Sequence, residues 1–85
     1  MASKLGVYGF NIMPVNERAD YLWDNGTFLA TRIEDGMKIN LHALSNFYVE
    51  VVYKSKVNKI IELKSFKTVR GLEPYLDLID VNQLH

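Results

Sequence analysis

Between residues 27 and 66, short runs rich in apolar side chains alternate with three polar triplets that each end in Gly or Asn. The triplets are Glu34-Asp35-Gly36, Leu44-Ser45-Asn46 and Lys56-Val57-Asn58. Gly and Asn are the residues that most easily adopt a positive φ, which a three-residue hairpin loop needs at its last position. The pattern predicts four strands at about residues 27–33, 37–43, 47–54 and 59–66, joined as an antiparallel meander.

Three-residue loops would fix the register of every hairpin. They place Ile33 opposite Met37, Ala43 opposite Phe47, and Ser55 opposite Lys59. One face of the sheet then carries the mainly apolar rows Leu29–Leu41–Val49–Ser65, Thr31–Ile39–Val51–Leu63 and Ile33–Met37–Tyr53–Ile61. A slip of one residue would mix this set with charged residues, because side chains alternate between faces. A two-residue Asp35-Gly36 loop would set Ile39 against Arg32, so three-residue loops are the prediction.

A helix is predicted in the sequence PVNERADYLWDNG, ahead of the first strand. The apolar positions that recur there at helical spacing are Val15, Ala19, Leu22 and Trp23. Asn16 suits the N-cap of this helix, and Gly26 suits its end. Trp23 is the expected anchor of the helix on the sheet, because its side chain is the largest.

A second, shorter helix is predicted from Pro74, a residue that suits the first helical position. Its buried set comprises Tyr75, Leu76 and Ile79, with Leu72 packing just before it. Residues 1–12 are expected to be either a flexible arm or an edge strand.

These elements predict the α+β fold class. The architecture is a four-stranded antiparallel β-meander with an N-terminal helix and a short C-terminal helix packed on one face. The chain of 85 residues is expected to form one small domain, residues 1–85.

The other face of the predicted sheet carries a candidate protein interface, the row Phe28–His42–Tyr48–Phe66. This row is more aromatic than an open face requires, and Tyr is common at interfaces. Its expected partner is a second copy of the chain or a different protein. The alternative is that the C-terminal helix or the N-terminal segment covers the row.

His42 also permits a weaker, catalytic hypothesis, a small hydrolase centred on His42 and Glu50. A carboxylate on a neighbouring strand could orient the imidazole for general base chemistry. The spacing matches no known motif, however, and a strand pair supplies no oxyanion hole. The sequence therefore favours a non-enzymatic role.

Charge is balanced overall, with 10 basic and 10 acidic residues, but it is unevenly placed. The segment from Lys54 to Arg70 contains six basic residues and one acid, Glu62. The candidate contacts for a nucleic acid or an acidic partner are Lys54, Lys56, Lys59, Lys67 and Arg70. A net charge of zero argues against general nucleic-acid affinity, and a lysine-rich edge that discourages strand pairing explains the cluster more simply.

The sequence lacks the residues that metal binding, phosphate binding or a membrane span would need. With no cysteine and two histidines, the chain offers no zinc site, and no metal or cofactor is expected. Its glycines match no phosphate-binding loop, so no small-molecule ligand is indicated. The longest uncharged run, Leu5 to Asn16, is too short to span a bilayer, and a cytoplasmic location is expected. The predicted function is a non-enzymatic protein-interaction or regulatory domain, and the first alternative is an accessory protein that contacts nucleic acid.

Overall fold

The computed structural model describes residues 6–54, 56–57 and 59–76. Its helices are α1 (Val7–Asn11), α2 (Val15–Asn25) and a C-terminal 3₁₀ helix (Val69–Tyr75). Its strands are β1 (Thr27–Glu34), β2 (Met37–Leu44), β3 (Phe47–Lys54) and β4 (Lys59–Phe66), each within one residue of a predicted strand. The sequence also makes predictions for Ser55, Asn58 and Ile79, which lie outside the described residues.

The four strands form one antiparallel sheet in the order β1-β2-β3-β4, which confirms the predicted α+β class and meander. The sequence predicts both helices on one face. In the structure α2 packs on one face and the 3₁₀ helix on the other, so we name these the α2 face and the 3₁₀ face. The difference arises because both faces carry apolar residues that need a cover.

The first hairpin has a two-residue loop, so the predicted three-residue loop is wrong. Glu34 pairs with Met37, and the residues between them have positive φ angles, 52° at Asp35 and 76° at Gly36. Two successive positive φ angles define a type I′ turn, whose twist matches that of the flanking strands. The predicted positive φ of Gly36 is confirmed, but the matched twist favours the shorter loop.

The second hairpin also has a two-residue loop, since Leu44 pairs with Phe47 rather than Ala43 with Phe47. The left-handed residue is Ser45, with a φ of 57°, and not Asn46 as the sequence predicts. A positive φ at the first loop residue alone is the arrangement of a type II′ turn, which normally prefers Gly there.

Replacing Ser45 with Gly should therefore stabilise the protein by about 0.5 kcal/mol. Relief of the left-handed strain, about 1–2 kcal/mol for an L-residue, exceeds the entropic cost of a new glycine, about 0.5–1 kcal/mol. The matched control Asn46→Gly adds the entropic cost without the relief and should destabilise. Urea denaturation of both variants measures the difference, and the reverse order would place the left-handed residue at Asn46.

In the third hairpin Lys59 pairs with Lys54, whereas the sequence predicts Ser55 as its partner, a residue outside the described ranges. Further along, beyond a bulge, the predicted register holds, with Val51 opposite Leu63. The bulge supplies the extra residue that reconciles the loop with the rest of the ladder.

Each of the first two loops is one residue shorter than predicted, and the two resulting register shifts cancel, so that Thr31 of β1 and Val51 of β3 still lie in one row across β2. As a result β1, β3 and β4 keep most of their predicted alignment, and β2 is turned over. Leu41 packs with the 3₁₀ helix, whereas Leu44 packs with α2. Arg32 is paired with Ile39, the arrangement that a two-residue first loop imposes.

The α2 face is closed by Ala19 and Leu22, which pack with Val49 and Val51 of β3. Leu22 is fully buried, whereas Trp23 keeps 46% of its surface exposed. The prediction that Trp23 anchors the helix is therefore wrong, because the helix turns Leu22 and not Trp23 directly onto the sheet.

The ends of α2 are set by backbone geometry. Pro14 occupies the N-cap, so the predicted N-cap Asn16 lies inside the helix. The predicted end at Gly26 is confirmed, where its N–H donates to the Leu22 carbonyl oxygen at 2.7 Å. A Cβ at Gly26 would come within 2.8 Å of that oxygen, so the end of the helix requires glycine.

The N-terminal segment is neither of the predicted alternatives over residues 7–11. It forms the short helix α1, which buries Phe10. The ring centroids of Phe10 and Phe47 are 5.5 Å apart. The Ser65 hydroxyl of β4 donates to Asn11 Oδ1 at 2.6 Å and ties α1 to the sheet. A flexible arm would have left Phe10 in water, whereas α1 buries it in the core of the α2 face.

On the 3₁₀ face, Leu72 and Tyr75 form a second core with Ala30 and Leu41. The predicted burial of Tyr75 and Leu72 is confirmed, but Leu76 is exposed. The helix is of the 3₁₀ type and contains Pro74 within it, so the predicted start at Pro74 is wrong. Short helices with a proline tolerate 3₁₀ geometry because few backbone bonds are at stake.

Candidate functional site

The predicted interface row is divided between the two faces of the sheet. Phe28 pairs with His42, and Tyr48 pairs with Phe66, as the sequence predicts. The predicted link between the two pairs does not form, because His42 lies opposite Val49 in the observed register. Two separate aromatic clusters result, and each has a different environment.

The first cluster lies on the α2 face and brings Trp23 and Phe28 together over His42. The ring centroid of His42 is 5.6 Å from that of Trp23 and 5.7 Å from that of Phe28. Trp23 is 46% exposed and Phe28 is 55% exposed, while His42 beneath them is only 8% exposed. We call the exposed parts of these two rings the Trp23–Phe28 surface.

The imidazole of His42 is enclosed by apolar groups. Its Nε2 atom is buried and has no hydrogen-bond partner among the described residues. Burial lowers the pKa of His42 below its ordinary value, because the charged form would lose its hydration. His42 is therefore neutral at pH 7, and an orphaned polar atom lies directly below an exposed aromatic surface.

The Trp23–Phe28 surface lies beside β1, an edge strand of the sheet. The larger contacts of α2 are with β2 and β4. Beyond Phe28, β1 exposes Thr31, whose hydroxyl donates to Asn40 Oδ1 at 2.7 Å, and then the apolar side chain of Ile33. The edge strand thus presents a polar pair between the apolar side chains of Phe28 and Ile33.

The second cluster, Tyr48 with Phe66, lies on the 3₁₀ face. The two rings stack with centroids 5.5 Å apart and an angle of 27° between their planes. Both are half-buried and pack against the core that contains Leu72 and Tyr75. This end of the predicted row is covered by the chain itself, which was the alternative explanation for its aromatic character.

Beside that core, a polar network connects strands β1 and β3 with the C-terminal segment. The Tyr75 hydroxyl donates to Glu50 Oε2 at 2.5 Å, and Arg32 Nη2 donates to the same oxygen at 3.2 Å. Arg32 also pairs with Glu34, and its Cζ lies 5.3 Å from the Tyr75 ring centroid. The network lets a fully buried tyrosine satisfy its hydroxyl group.

The charges of this network favour a structural role. Burial, followed by the hydrogen bond with Glu50, raises the pKa of Tyr75. Burial works to lower the pKa of Arg32, but its bonds with Glu34, Tyr75 and Glu50 outweigh that effect and raise it. Neither group changes protonation near neutral pH, so neither suits acid–base catalysis.

The hydrolase hypothesis depended on His42 and Glu50 acting together. His42 contacts Trp23 on the α2 face, whereas Glu50 accepts its bond from Tyr75 on the 3₁₀ face. The sheet lies between the two side chains, so the carboxylate cannot orient the imidazole. Glu50 does lie opposite Lys64, as the sequence predicts.

The residues of the predicted basic cluster lie at two opposite ends of β4. Lys54, Lys56 and Lys59 are exposed around the third hairpin, whereas Lys67 and Arg70 follow the opposite end of β4. A strand of eight residues separates the two groups by roughly 25 Å. The five side chains do not form one continuous patch.

The described residues contain neither a group of metal ligands nor a membrane-spanning helix. No three metal-ligating side chains lie close enough in residues 6–54, 56–57 and 59–76 to hold an ion. None of the helices in those ranges has the length and hydropathy needed to cross a membrane.

Within the described residues, the buried Nε2 of His42 lacks a hydrogen-bond partner and its ring contacts two exposed aromatic side chains. No protein-family model, curated protein or solved structure matches the chain. Its function has therefore to be inferred from the geometry of the chain itself.

The sequence analysis identified Phe28 and His42 but assigned Trp23 to the core. A signal for the correct assignment was present, because Leu22 and Trp23 are adjacent and a helix directs adjacent side chains about 100° apart. Only one of them can point directly at the sheet. Leu22 lies one turn from Ala19 and shares its buried side, which leaves Trp23 at the margin.

Proposed function

We propose that this chain is a small protein-interaction module that self-associates through the Trp23–Phe28 surface. One observation carries the proposal. Two large aromatic rings, each in contact with His42, remain about half exposed beside the edge strand β1. Aromatic side chains are enriched at protein interfaces, and Trp is enriched among residues that dominate binding energy.

A second copy of the chain is the partner best supported by its size and charge. A stable dimer buries about 800 Å² per partner, which is a modest part of the 5885 Å² of accessible surface. The net charge of zero removes long-range repulsion between copies. A twofold interface would set the Trp23–Phe28 surface of one copy against that of the other.

Binding of nucleic acid has less support. The lysines and Arg70 lie at both ends of β4 rather than in one stripe, and the net charge is zero. A partner that follows a phosphate backbone needs a continuous basic track.

The proposal predicts that Trp23→Ala raises the dissociation constant of the dimer by a factor of about 10 or more, as loss of a central aromatic residue does. Light scattering across a wide concentration range measures the effect. The matched control is Tyr8→Ala, which removes an aromatic side chain that is 85% exposed on α1. It should leave association unchanged.

Three outcomes would contradict the proposal. A wild-type chain that stays at 9.8 kDa up to millimolar concentration would exclude self-association. Equal affinity of the wild type and Trp23→Ala would exclude this surface. A stronger effect of Tyr8→Ala would move the interface to α1.

A further inference from the structure

We propose that His42 makes self-association through the Trp23–Phe28 surface sensitive to pH, with the neutral imidazole as the associating form. This inference concerns the regulation of that surface and rests on the function proposed above. Its basis is the position of a titratable ring directly beneath the two aromatic side chains that would form the contact.

Protonation of His42 would place a charge where the structure offers it no compensation. Both ring nitrogens of the imidazolium are donors, yet Nε2 is buried and faces no acceptor among the described residues. A buried charge without a hydrogen-bonded partner is costly. The free monomer can relieve the cost by moving Trp23 or Phe28 aside and admitting water. A dimer that presses on both rings loses that freedom.

Attraction between the imidazolium and the aromatic faces would oppose this effect. The ring centroids of Trp23 and Phe28 lie 5.6 and 5.7 Å from that of His42, within the range of such attraction, and the interplanar angles of 55° and 73° do not exclude it. Burial lowers the pKa of His42, in agreement with the loss of hydration as the larger influence.

Other charged groups around His42 do not offset its burial. Burial alone accounts for the lowered pKa, without a contribution from any described charged side chain. On α2, Asp20 and Asp24 are exposed, and on β2, Lys38 lies 5.4 Å from the Tyr53 ring centroid. The helix and strands around His42 carry further charged residues. These are Glu17 and Arg18 of α2, Lys54 of β3 and Lys59 of β4. The strands also carry Arg32, Glu34, Glu50, Glu62 and Lys64.

The thermodynamic linkage fixes the sign and the size of the effect. If only neutral His42 is compatible with the dimer, each association event requires two imidazoles to be unprotonated. The dissociation constant is then independent of pH above the pKa of His42 in the monomer. Below that pKa it rises by up to about 100-fold per pH unit, about 10-fold for each copy. Because the pKa is lowered, the rise begins below the ordinary histidine value of 6.5.

The experiment measures two quantities in the same samples between pH 8 and pH 4.5. Light scattering gives the dissociation constant, and NMR titration of the imidazole C–H resonances gives the pKa of His42. Trp23 is the only tryptophan, so its fluorescence reports independently on the ring beside His42. Circular dichroism at each pH confirms that the chain is folded.

Three variants isolate His42. His42→Phe fills the site without a titrating group and should make the dissociation constant independent of pH down to the range where carboxylates titrate. His85→Gln removes the other histidine and should behave as wild type. Trp23→Ala uncovers Nε2 and should raise the pKa of His42 toward 6.5, a result visible in the monomer. If His42→Phe does not fold, the wild-type titrations alone still decide the question.

The outcomes separate the two proposals. Absence of association at pH 8 rejects the proposed function and the inference with it. Association that stays constant while His42 is seen to titrate rejects the inference and leaves the proposed function standing. A pH dependence that persists in His42→Phe, or disappears in His85→Gln, also rejects the inference.

Discussion

Replacing Tyr75 with alanine should destabilise the fold by about 3–5 kcal/mol, the usual cost of removing a buried aromatic ring. Tyr75 is fully buried and packs with Leu72, Ala30 and Leu41 on the 3₁₀ face. The substitution would also leave the Glu50 carboxylate without its 2.5 Å hydrogen bond. A chain of 85 residues is stable by only about 4–13 kcal/mol, so the loss is a large fraction of the total.

One further variant separates the contribution of the hydroxyl group from that of the ring, and another serves as a control. Tyr75→Phe keeps the ring over the sheet and removes the hydroxyl, so we expect a smaller loss of about 1–2 kcal/mol. Tyr8→Ala removes an exposed aromatic residue of α1 and should change stability by less than about 0.5 kcal/mol. Urea denaturation measures all three. Equal midpoints for Tyr75→Ala and wild type would show that the 3₁₀ helix contributes nothing to the stability of the sheet.

The importance of Tyr75 also explains why the sequence predicted β2 incorrectly. The prediction assumed a sheet with one apolar face, and it chose the loops that gathered Ile39 and Leu41 onto that face. The sheet in fact has a core on each face, and Leu41 meets the 3₁₀ helix instead of α2. The existence of the strands follows from local pattern, but the orientation of β2 depends on a helix that begins 25 residues after β2 ends.

The residues of the first turn predict its hairpin register better than the apolar composition of the sheet faces does. Asp35-Gly36 is a strong signal for a two-residue type I′ loop, and the structure has that loop. The sequence contains no comparable signal at the second hairpin, where Ser45 adopts the left-handed conformation that Gly or Asn would adopt more easily. The register there is imposed by packing, because Phe47 and Leu44 are both buried on the α2 face.

The candidate site was predictable only in part. Cross-strand pairing placed Phe28 beside His42, and a bulge in β1 after Phe28 preserves that pair although the rest of the strand is shifted by one residue. To predict the position of Trp23, one must know how α2 is rotated about its own axis. The spacing of apolar residues defines that rotation only to within one residue. The orphaned Nε2 of His42 depends on all three elements together and has no signature in the sequence.

The rotation of α2 leads to the second large effect. Leu22→Ala should destabilise the protein by about 2–5 kcal/mol, because it leaves a cavity in a core where the surrounding strands cannot collapse. Leu22 is fully buried against Val49 and Val51, which belong to the central part of β3. Differential scanning calorimetry should show a fall in Tm of well over 8 °C for a domain of this size.

Trp23→Ala is the matched variant on the next residue of the same helix. Its side chain is larger, so a core role would make its removal the more damaging of the two. Because nearly half of Trp23 is already in water, we expect the opposite order, with a loss below about 1.5 kcal/mol for Trp23→Ala. If Trp23→Ala is instead the more destabilising, Trp23 anchors the helix and the surface proposed for self-association is part of the core. The observed order therefore decides whether Trp23 belongs to folding or to binding, and a folded Trp23→Ala chain is what makes the association experiment interpretable.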